Sequence, residues 1–418
     1  MTAKTNGFAA KCRRGKCRSC GRKGLLPVLD LGPMPLSDRL LLKDQLADRE
    51  PFFPLETAFC AQCALMQILE DVPREQLFCE DYPYYSSFSQ ALLDHSRANA
   101  LNLIFNRRLG PGSLVVEIAS NDGYLLRNFV ENGIPVLGVD PAEGPAAEAR
   151  KIGVPTVCEF FGRDFARKLA REGKRADVTI ANNVLAHVPD LNDFVEGFHV
   201  LLKDDGLAVF EFPYLRDLID HVEFDTIYHE HMCYFSATSV DALFRRHGLF
   251  INHVERISIH GGSLRLYVQP KEAVSPSVRG LLAEELRLGV TRREYYQSFG
   301  QRVGELLGGL GKMLQELRAA GKSLAAYGAA AKGANLLNCL KAGPDLIPYV
   351  CDRNVHKQGK FMPGVHIPIC DPKRILQEMP DYVLILPWNF REEIIAQQAE
   401  YRRRGGRFII PVPSPQIV

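Results

Sequence analysis

The sequence predicts an α/β protein with three modules: a cysteine-rich metal-binding module, a central module on a largely parallel sheet, and a second parallel-sheet module. Two C-x-x-C pairs lie within the first 63 residues. Two later runs alternate buried strands, glycine turns and helices, which is the pattern of parallel sheets. A chain of 418 residues is too long for one core. We therefore expect modules at residues 1–78, 79–272 and 273–418.

The bulk composition excludes several classes of partner. The formal net charge is only +2, with 24% charged and 46% hydrophobic residues, so no global field attracts nucleic acid or a membrane. The basic residues between Lys11 and Lys23 lack interleaved aromatic rings and are expected to form a solvated rim. No apolar run is long enough to cross a bilayer. We expect a cytoplasmic monomer or weak homodimer that binds neither nucleic acid nor membrane.

The two C-x-x-C pairs define the first module. They are Cys17-Arg-Ser-Cys20 and Cys60-Ala-Gln-Cys63, and the chain shows no signal peptide, so their thiols are expected to be reduced. Four sulfurs on two tight turns complete a tetrahedral Zn²⁺ shell and leave no open position, so the zinc is structural. The segment Leu25–Phe59 is rich in proline and leucine. We expect it to be a small irregular fold around the metal.

A strand, a glycine turn and a helix open the central module. Leu114 to Ile118 is an apolar run suited to a buried strand, and Asn121-Asp122-Gly123 forces a turn before a helix. The next strand ends at Asp140, where an acid accepts hydrogen bonds from ribose hydroxyls in dinucleotide-type folds. The turn lacks the G-x-G-x-x-G fingerprint, so a bound pyrophosphate is disfavoured.

The turn sequence, Glu117-x-Ala119-x-x-x-Gly123, resembles the first motif of class I S-adenosylmethionine-dependent methyltransferases. Strands at 176–183 and 206–212 and a closing hairpin at 251–257 and 263–268 fit the same Rossmann-like fold. The resemblance implies S-adenosylmethionine as cofactor at the carboxyl ends of these strands. The residues expected to bind it are Glu117, Ala119, Asn121, Gly123, Tyr124, Asp140, Asn182 and Asn183.

Three further motifs, Asn182–Asp190, Thr226–His231 and His260–Arg265, resemble those of nucleotide-sugar C-methyltransferases. Members of that family add a methyl branch at the carbon next to a 4-keto group. The resemblance covers nearly the whole chain, including the four-cysteine module, but departs at Ala334, where a polar residue is expected. It implies methylation, at C-3, of a nucleotide-linked 4-keto deoxyhexose through an enolate.

The segment Tyr228-His-Glu-His231 carries the groups that this reaction needs. A base must remove the proton next to the ketone, and histidine is the usual choice near neutral pH. Preorganised donors must hold the enolate oxygen. By resemblance, Tyr228, Glu230 and His231 line the sugar pocket, with His231 as the base and Tyr228 as a donor. His187 is a second donor or an alternative base.

Tyr82 or Tyr84 is expected to close the pocket, and the repeated tyrosines leave the choice between them open. A metal held by His229-x-His231 is a competing interpretation, although it needs a third ligand that no spacing identifies. The remaining histidines of interest fall in helix or strand patterns without polar neighbours and are expected to be ordinary surface or packed residues: His95, His199, His247 and His253.

The third module begins with an apolar helical stripe over residues 277–320, which we expect to pack against another domain. Strands at 323–327, 347–352, 381–389 and 407–412 then predict a second Rossmann-like sheet. Only Gly328 and Gly333 remain of a dinucleotide fingerprint, so we favour the diphosphate or base of a sugar nucleotide over NAD. The candidate substrate contacts are Lys332, Asn335, Asp352, Lys357, Lys360 and Asn389.

Three other functions stay open from the sequence. An O- or N-methyltransferase of a nucleotide sugar needs a base but no enolate donors. A non-enzymatic zinc protein that senses ligands or binds nucleic acid would show salt-dependent binding to nucleic acid and no affinity for the methyl donor. A reductase using NAD in the third module is a further alternative.

Overall fold

The structure is a computed structural model that describes residues 2–73 and 85–418. Three sheets of four, seven and six strands organise this part of the chain. Within it, no helix combines the length and the apolar character that crossing a bilayer would require.

The first sheet is antiparallel and lies beside the four cysteines. Helix α1 (Thr2–Arg14) precedes β1 (Leu26–Pro35), β2 (Phe52–Phe59) and β3 (Met66–Ile68), and the fourth strand is β9 (Cys233–Tyr234), far along the chain. The expected irregular fold at 25–59 is wrong, because most of this segment is the β1–β2 hairpin. Prolines in β1 are tolerated because β1 is an edge strand with register shifts.

The central sheet has the order β10-β11-β8-β7-β4-β5-β6. Strands β4 to β8 run parallel, and the β10–β11 hairpin adds β11 antiparallel to β8. Strand order reverses at β4, so its carboxyl end borders the crevice where such sheets bind ligands. The strands are β4 (Val115–Ile118), β5 (Val136–Val139), β6 (Thr156–Val157), β7 (Ala176–Asn182), β8 (Leu202–Pro213), β10 (Phe250–Ile257) and β11 (Ser263–Gln269).

Helices cover both faces of this sheet, as alternation of strand and helix predicts. They are α2 (Gln90–Arg107), α3 (Arg127–Val130), α4 (Glu143–Lys151), α5 (Arg163–Arg171), α6 (Leu191–Leu201), α7 (Leu215–Asp220) and α8 (Ala237–Arg246). The order of the sheet and its antiparallel hairpin are those of class I methyltransferases, as the sequence predicted.

The third sheet has the order β14-β13-β12-β15-β16-β17, parallel except for β17. The helical stretch before it is interrupted at Gly289, which ends the helix Pro276–Leu288 in a left-handed conformation. The strands are β12 (Leu324–Tyr327), β13 (Val350–Cys351), β14 (Ile369–Cys370), β15 (Tyr382–Ile385), β16 (Arg407–Ile410) and β17 (Gln416–Ile417). The helices are α9 (Pro276–Leu288), α10 (Phe299–Ala319), α11 (Ala331–Leu340), α12 (Lys373–Glu378), α13 (Arg391–Gln397) and α14 (Ala399–Arg403).

Candidate active site

The four predicted cysteines form one cluster. Their sulfur atoms lie within 4.8 Å of one another, with Cys17 Sγ 3.5 Å from Cys63 Sγ and Cys20 Sγ 3.6 Å from Cys60 Sγ. Zn–S bonds of about 2.3 Å in a tetrahedron place sulfurs about 3.8 Å apart. The cluster therefore fits zinc, and its four thiolates leave no position for a reacting molecule.

The loop after β4 has the backbone that a small-molecule site needs. Ala119, Asn121 and Gly123 all have positive φ, of 57°, 50° and 78°. A side chain at Gly123 would also press on Ala149 and Val154 at 3.1–3.2 Å, so glycine is required there. The Asp140 carboxylate accepts hydrogen bonds from Asn121 N and Ala142 N, both at 2.8 Å, which ties the end of β5 to this loop.

Buried acceptors without partners collect around this loop. Glu117 is 1% exposed, and neither carboxylate oxygen has a partner within the described residues. Burial, reinforced by Asp140, raises the pKa of Glu117 well above its ordinary value. Side-chain oxygens of Ser120, Asp122, Asn182 and Asn183 are also unpartnered there.

This set of acceptors fits S-adenosylmethionine. Its ammonium group, two ribose hydroxyls and adenine amino group are all donors, and buried acceptors gain most from such partners. The predicted cofactor residues therefore lie together at one edge of the sheet, where parallel sheets bind nucleoside ligands. Tyr124 is buried just beyond the turn.

The segment before α2 lies over the cofactor loop. Ser86 N donates to Asn121 Oδ1 at 2.9 Å and Ser87 N donates to Asp122 Oδ2 at 3.1 Å. Tyr85 stacks on His356 with ring centroids 5.3 Å apart. The predicted pocket tyrosines, Tyr82 and Tyr84, lie outside the described residues, so their role stays a prediction.

The hydrogen bonds of His231 define its tautomer. Nδ1 lies 2.9 Å from the carbonyl oxygen of Thr226, which can only accept, so Nδ1 carries the proton. Nε2 then carries a lone pair, and the Tyr228 hydroxyl donates a hydrogen bond to it at 2.8 Å. Burial and the neighbouring His187 lower the pKa of His231 well below its ordinary value. The imidazole is thus neutral at neutral pH, as a base must be.

His187 completes a group of rings around the candidate base. Its ring meets that of His231 edge-on, with centroids 4.7 Å apart, and burial lowers its pKa to about 4. His260, in the β10–β11 turn, also has its pKa lowered to about 4 by burial and by Lys332. The three histidines keep some accessible surface.

His229 points toward the first module. Its Nε2 lies 3.2 Å from Pro54 O, and its ring contacts Phe53 of β2. His229 and His231 therefore diverge, and in residues 2–73 and 85–418 the only cluster of three or more metal-ligating groups is the four-cysteine one. The neighbouring Glu230 is 3% exposed.

Three of the predicted substrate residues reach the catalytic loop from the third module. Lys332 Nζ donates to Asn389 Oδ1 at 2.8 Å and lies 4.6 Å from the ring centre of Trp388. Asn335 Nδ2 donates to Ile227 O at 2.6 Å, next to Tyr228. The helix α11 thus places a cation and an amide against the segment that carries the candidate base, and Asn389 holds the cation from the turn after β15.

Two carboxylates balance the charge of Lys332. Trp388 Nε1 donates to Asp225 Oδ2 at 2.7 Å, and Asp225 and Glu223 both interact electrostatically with Lys332. Burial raises the pKa of Asp225 to about 6 and that of Glu223 to about 7. The sequence pattern missed both acids, because neither occurs at a strand end or in a repeated motif.

The other three predicted substrate residues are used within the third module. Asp352 accepts from Ala329 N at 2.7 Å and from Asn354 N at 2.8 Å. Lys357 Nζ donates to Ala329 O at 2.7 Å, and the Lys360 carbonyl accepts from Ile369 N at 2.8 Å. As substrate contacts these residues stay predictions.

The expectation that His95, His247 and His253 lack polar neighbours is wrong. His247 Nε2 lies 3.0 Å from Asn192 Oδ1, and His253 Nδ1 lies 3.0 Å from Ser277 Oγ. His95 Nε2 lies 2.8 Å from Glu211 Oε2 and 3.0 Å from Arg265 Nη2. Arg265 Nε also donates to Glu211 Oε1 at 2.5 Å. The triad joins α2, β8 and β11, three elements that no local pattern associates.

Family models match most of the chain in order: a zinc binding domain at 17–78, a methyltransferase domain at 91–254, and a C-methyltransferase C-terminal domain at 258–413. The C-methyltransferase NovU of Streptomyces niveus is 36% identical over 406 residues, 96% of each chain. The chain belongs to this C-methyltransferase family. It is a methyltransferase whose cofactor is S-adenosylmethionine and whose cysteine module is the zinc-binding domain, as predicted.

Shorter matches accompany this C-methyltransferase. The ubiquinone biosynthesis O-methyltransferase of Ruegeria pomeroyi is 31% identical over 111 residues, 25% of this chain and 45% of that protein. Magnesium protoporphyrin IX methyltransferase from Synechocystis PCC 6803, solved with bound SAM, is 17% identical over 42% of this chain and 78% of that chain, with a TM-score of 0.33. Both matches are partial, whereas the similarity to NovU extends through all three sheets.

Proposed function

We propose that this C-methyltransferase transfers a methyl group to the carbon, C-3, next to the 4-keto group of a nucleotide-linked deoxyhexose. The observation that carries the proposal is the neutral His231, whose Nδ1–H is fixed on Thr226 O and whose Nε2 lone pair meets the Tyr228 hydroxyl. A carbon is nucleophilic toward a sulfonium methyl only after losing a proton, and a neutral imidazole supplies the base.

The proton leaves C-3 toward His231. Because the Tyr228 hydroxyl already donates to Nε2, the Tyr228 oxygen takes the substrate proton as its own proton passes to the imidazole. The imidazolium that forms is stabilised by Nδ1–H···O=C at Thr226. His187 beside it is neutral and therefore does not repel the imidazolium.

The enolate needs positive charge, which Lys332 supplies. The Lys332 ammonium group interacts electrostatically with His231 and His260. Asn389 and Trp388 hold it in place. When bound, S-adenosylmethionine supplies an electrophilic methyl group, so that a C–C bond forms as the S–CH₃ bond breaks. Burial excludes water, which strengthens the interaction between Lys332 and the developing oxyanion.

The rest of the sugar nucleotide occupies the cleft between the central and third sheets. Lys332 and Asn389 keep accessible surface beside the catalytic segment, and the buried Asn335 anchors α11 to that segment through Ile227 O. The proposal keeps the module boundaries of 1–78, 79–272 and 273–418. It places the enzyme in the cytoplasm, where a four-thiolate site stays reduced, as a monomer or weak homodimer without nucleic-acid or membrane partners.

Hydrogen exchange tests the enolate step without the methyl donor. The protein is incubated in D₂O with S-adenosylhomocysteine and a nucleoside-diphosphate 4-keto-6-deoxyglucose, and deuterium at C-3 is read by NMR or mass spectrometry. We expect enzyme-dependent exchange in the wild type and its loss in His231→Ala, which should still bind S-adenosylhomocysteine.

His229→Gln is the matched control, because His229 lies two residues away and faces the first module. It should exchange like the wild type. Methyl transfer to oxygen or nitrogen without C-3 exchange would refute the enolate mechanism. Exchange at the wild-type rate in His231→Ala would exclude His231 as the base.

A further inference from the structure

Three consecutive backbone carbonyls before the candidate base accept hydrogen bonds from side chains. They belong to Asp225, Thr226 and Ile227. The central carbonyl, of Thr226, accepts from Nδ1 of His231 at 2.9 Å. The two flanking carbonyls accept from a single amide group, Nδ2 of Asn335, at 3.3 Å for Asp225 and 2.6 Å for Ile227. The carbonyl that orients the base therefore lies between two carbonyls that the third module holds.

The amide of Asn335 is committed to this contact. An amide nitrogen has two N–H donors, and those of Asn335 point to two carbonyls of the same segment. The residue is 2% exposed and lies within the helix α11, whose backbone fixes the start of the side chain. Asn335 is therefore placed to hold the catalytic segment rather than to reach a ligand.

A second side chain of the third module holds the same segment. Trp388, in the turn after β15, donates from Nε1 to Asp225 Oδ2 at 2.7 Å, and Asp225 is fully buried. The local turn fixes only N–H groups here, with Thr226 N donating to Glu223 O at 3.1 Å and Ile227 N to Phe224 O at 3.0 Å. The carbonyl groups at the end of such a turn need partners from elsewhere, and two of them find a partner in the third module.

The position of the Thr226 carbonyl determines which nitrogen of His231 carries the proton. In a neutral imidazole, the hydrogen bond of one ring nitrogen sets the state of the other. If this carbonyl turned away, Nδ1–H would lose its acceptor, and the tautomer with the proton on Nε2 would compete. That tautomer has no lone pair facing the Tyr228 hydroxyl and cannot act as the base.

We propose that Asn335 is a positioning residue for His231. Together with Trp388 it makes the docking of the third module a condition for the correct tautomer and orientation of the base. This inference rests on the proposed function, and it gives the third module a part in the proton transfer in addition to binding the sugar nucleotide.

The variant Asn335→Leu removes both donors and keeps a side chain of similar size. Deuterium exchange at C-3 is measured with S-adenosylhomocysteine and saturating nucleoside-diphosphate 4-keto-6-deoxyglucose. We expect the exchange rate to fall about 10- to 100-fold, because a small displacement of a catalytic group costs up to about 100-fold in rate. The dissociation constants of both ligands should be unchanged.

Asn338→Leu is the matched control. Asn338 lies three residues further along α11, and its Nδ2 donates to Ala334 O at 2.8 Å and Pro363 O at 2.9 Å, both within the third module. This variant removes the same kind of amide without touching the catalytic segment. It should exchange like the wild type, and urea unfolding should show a loss of stability comparable to that of Asn335→Leu.

Nitrogen NMR of ¹⁵N-labelled histidines reads the tautomer directly, since protonated and unprotonated ring nitrogens differ widely in chemical shift. The signals of His231 are those missing in His231→Ala. They should show a protonated Nδ1 and an unprotonated Nε2 in the wild type and in Asn338→Leu, and a mixture of tautomers in Asn335→Leu. A purely structural Asn335 would lower stability without changing the tautomer.

Wild-type exchange at saturation with weaker sugar binding in Asn335→Leu would make Asn335 a substrate contact and overturn the proposal. Equal loss of exchange in Asn335→Leu and Asn338→Leu would overturn it as well. If Asn335→Leu failed to fold, Trp388→Phe, which removes only the bond to Asp225, should still slow exchange, and an unchanged rate would contradict the proposal. If the wild type showed no exchange, the proposed function would fall, and the His231 tautomer in Asn335→Leu would still decide the positioning role.

Discussion

Replacing His187 with glutamine should make the protein more resistant to mild acid. Burial lowers the pKa of His187 to about 4, whereas a histidine in an unfolded chain titrates near 6.5. Between these values the unfolded chain binds a proton that the folded chain does not. Acidification through this window therefore favours unfolding. The loss of folding stability due to His187 is complete below pH 4 and negligible above about pH 7.

The size of the effect follows from the two pKa values. Taking 4 for the folded and 6.5 for the unfolded state, the wild type loses about 2 kcal/mol between pH 7 and pH 5 through His187. Burial also raises the pKa of Glu223 to about 7, and protonating that acid stabilises the folded state over the same range. The observable is therefore the difference between variant and wild type, in which Glu223 cancels.

Urea unfolding at pH 7 and pH 5 measures this difference. His187→Gln should lose about 2 kcal/mol less than the wild type between the two values, and the exposed His199→Gln should match the wild type. NMR of ¹³C-labelled histidines should show several signals that do not titrate above about pH 5.5, one of which is missing in His187→Gln. A titration midpoint of His187 near 6.5 would refute the assignment of a buried, neutral imidazole. An equal loss of unfolding free energy in variant and wild type between pH 7 and pH 5 would refute it as well.

Three further predictions concern binding and stability. Cys60→Ser should reduce the zinc content and unfold the first module, measured by metal analysis and limited proteolysis; unchanged zinc content would contradict a four-cysteine site. Glu117→Gln should weaken S-adenosylmethionine binding by about tenfold or more in calorimetry, because the amide cannot compensate a bound cation; equal affinity would place the ammonium group elsewhere. Arg265→Met should cost about 3–5 kcal/mol by leaving the buried Glu211 without its guanidinium partner, whereas the exposed Arg245→Met should cost less than about 1 kcal/mol. Equal costs in urea unfolding would show that burial does not strengthen the Arg265 pair.

The central fold could be predicted because its signals are local. Apolar runs that end in glycine, asparagine or aspartate identified β4, β5 and β7 and placed their polar ends at one sheet edge. The β1–β2 hairpin was missed because its prolines resemble an irregular segment. They are compatible with a strand only because β1 lies at the edge of its sheet.

The chemistry of the site was predictable only where it lies in one short segment. Tyr228 and His231 are three residues apart, and their hydrogen bond follows from that spacing once the segment is a turn. The bond between Trp388 and Asp225 spans 163 residues. Contacts of that kind depend on how domains dock, which periodicity does not encode.

The strand β9 has a consequence for how the chain folds during synthesis. Its Cys233 pairs with Gln67 of β3, 166 residues earlier. At about 5–20 residues per second, a ribosome needs roughly 10–30 s to add that length. The first module therefore leaves the ribosome with an open sheet edge and can complete its sheet only when the catalytic segment follows. All four cysteines precede β3 in the chain, so during this interval zinc can already hold the two cysteine turns together.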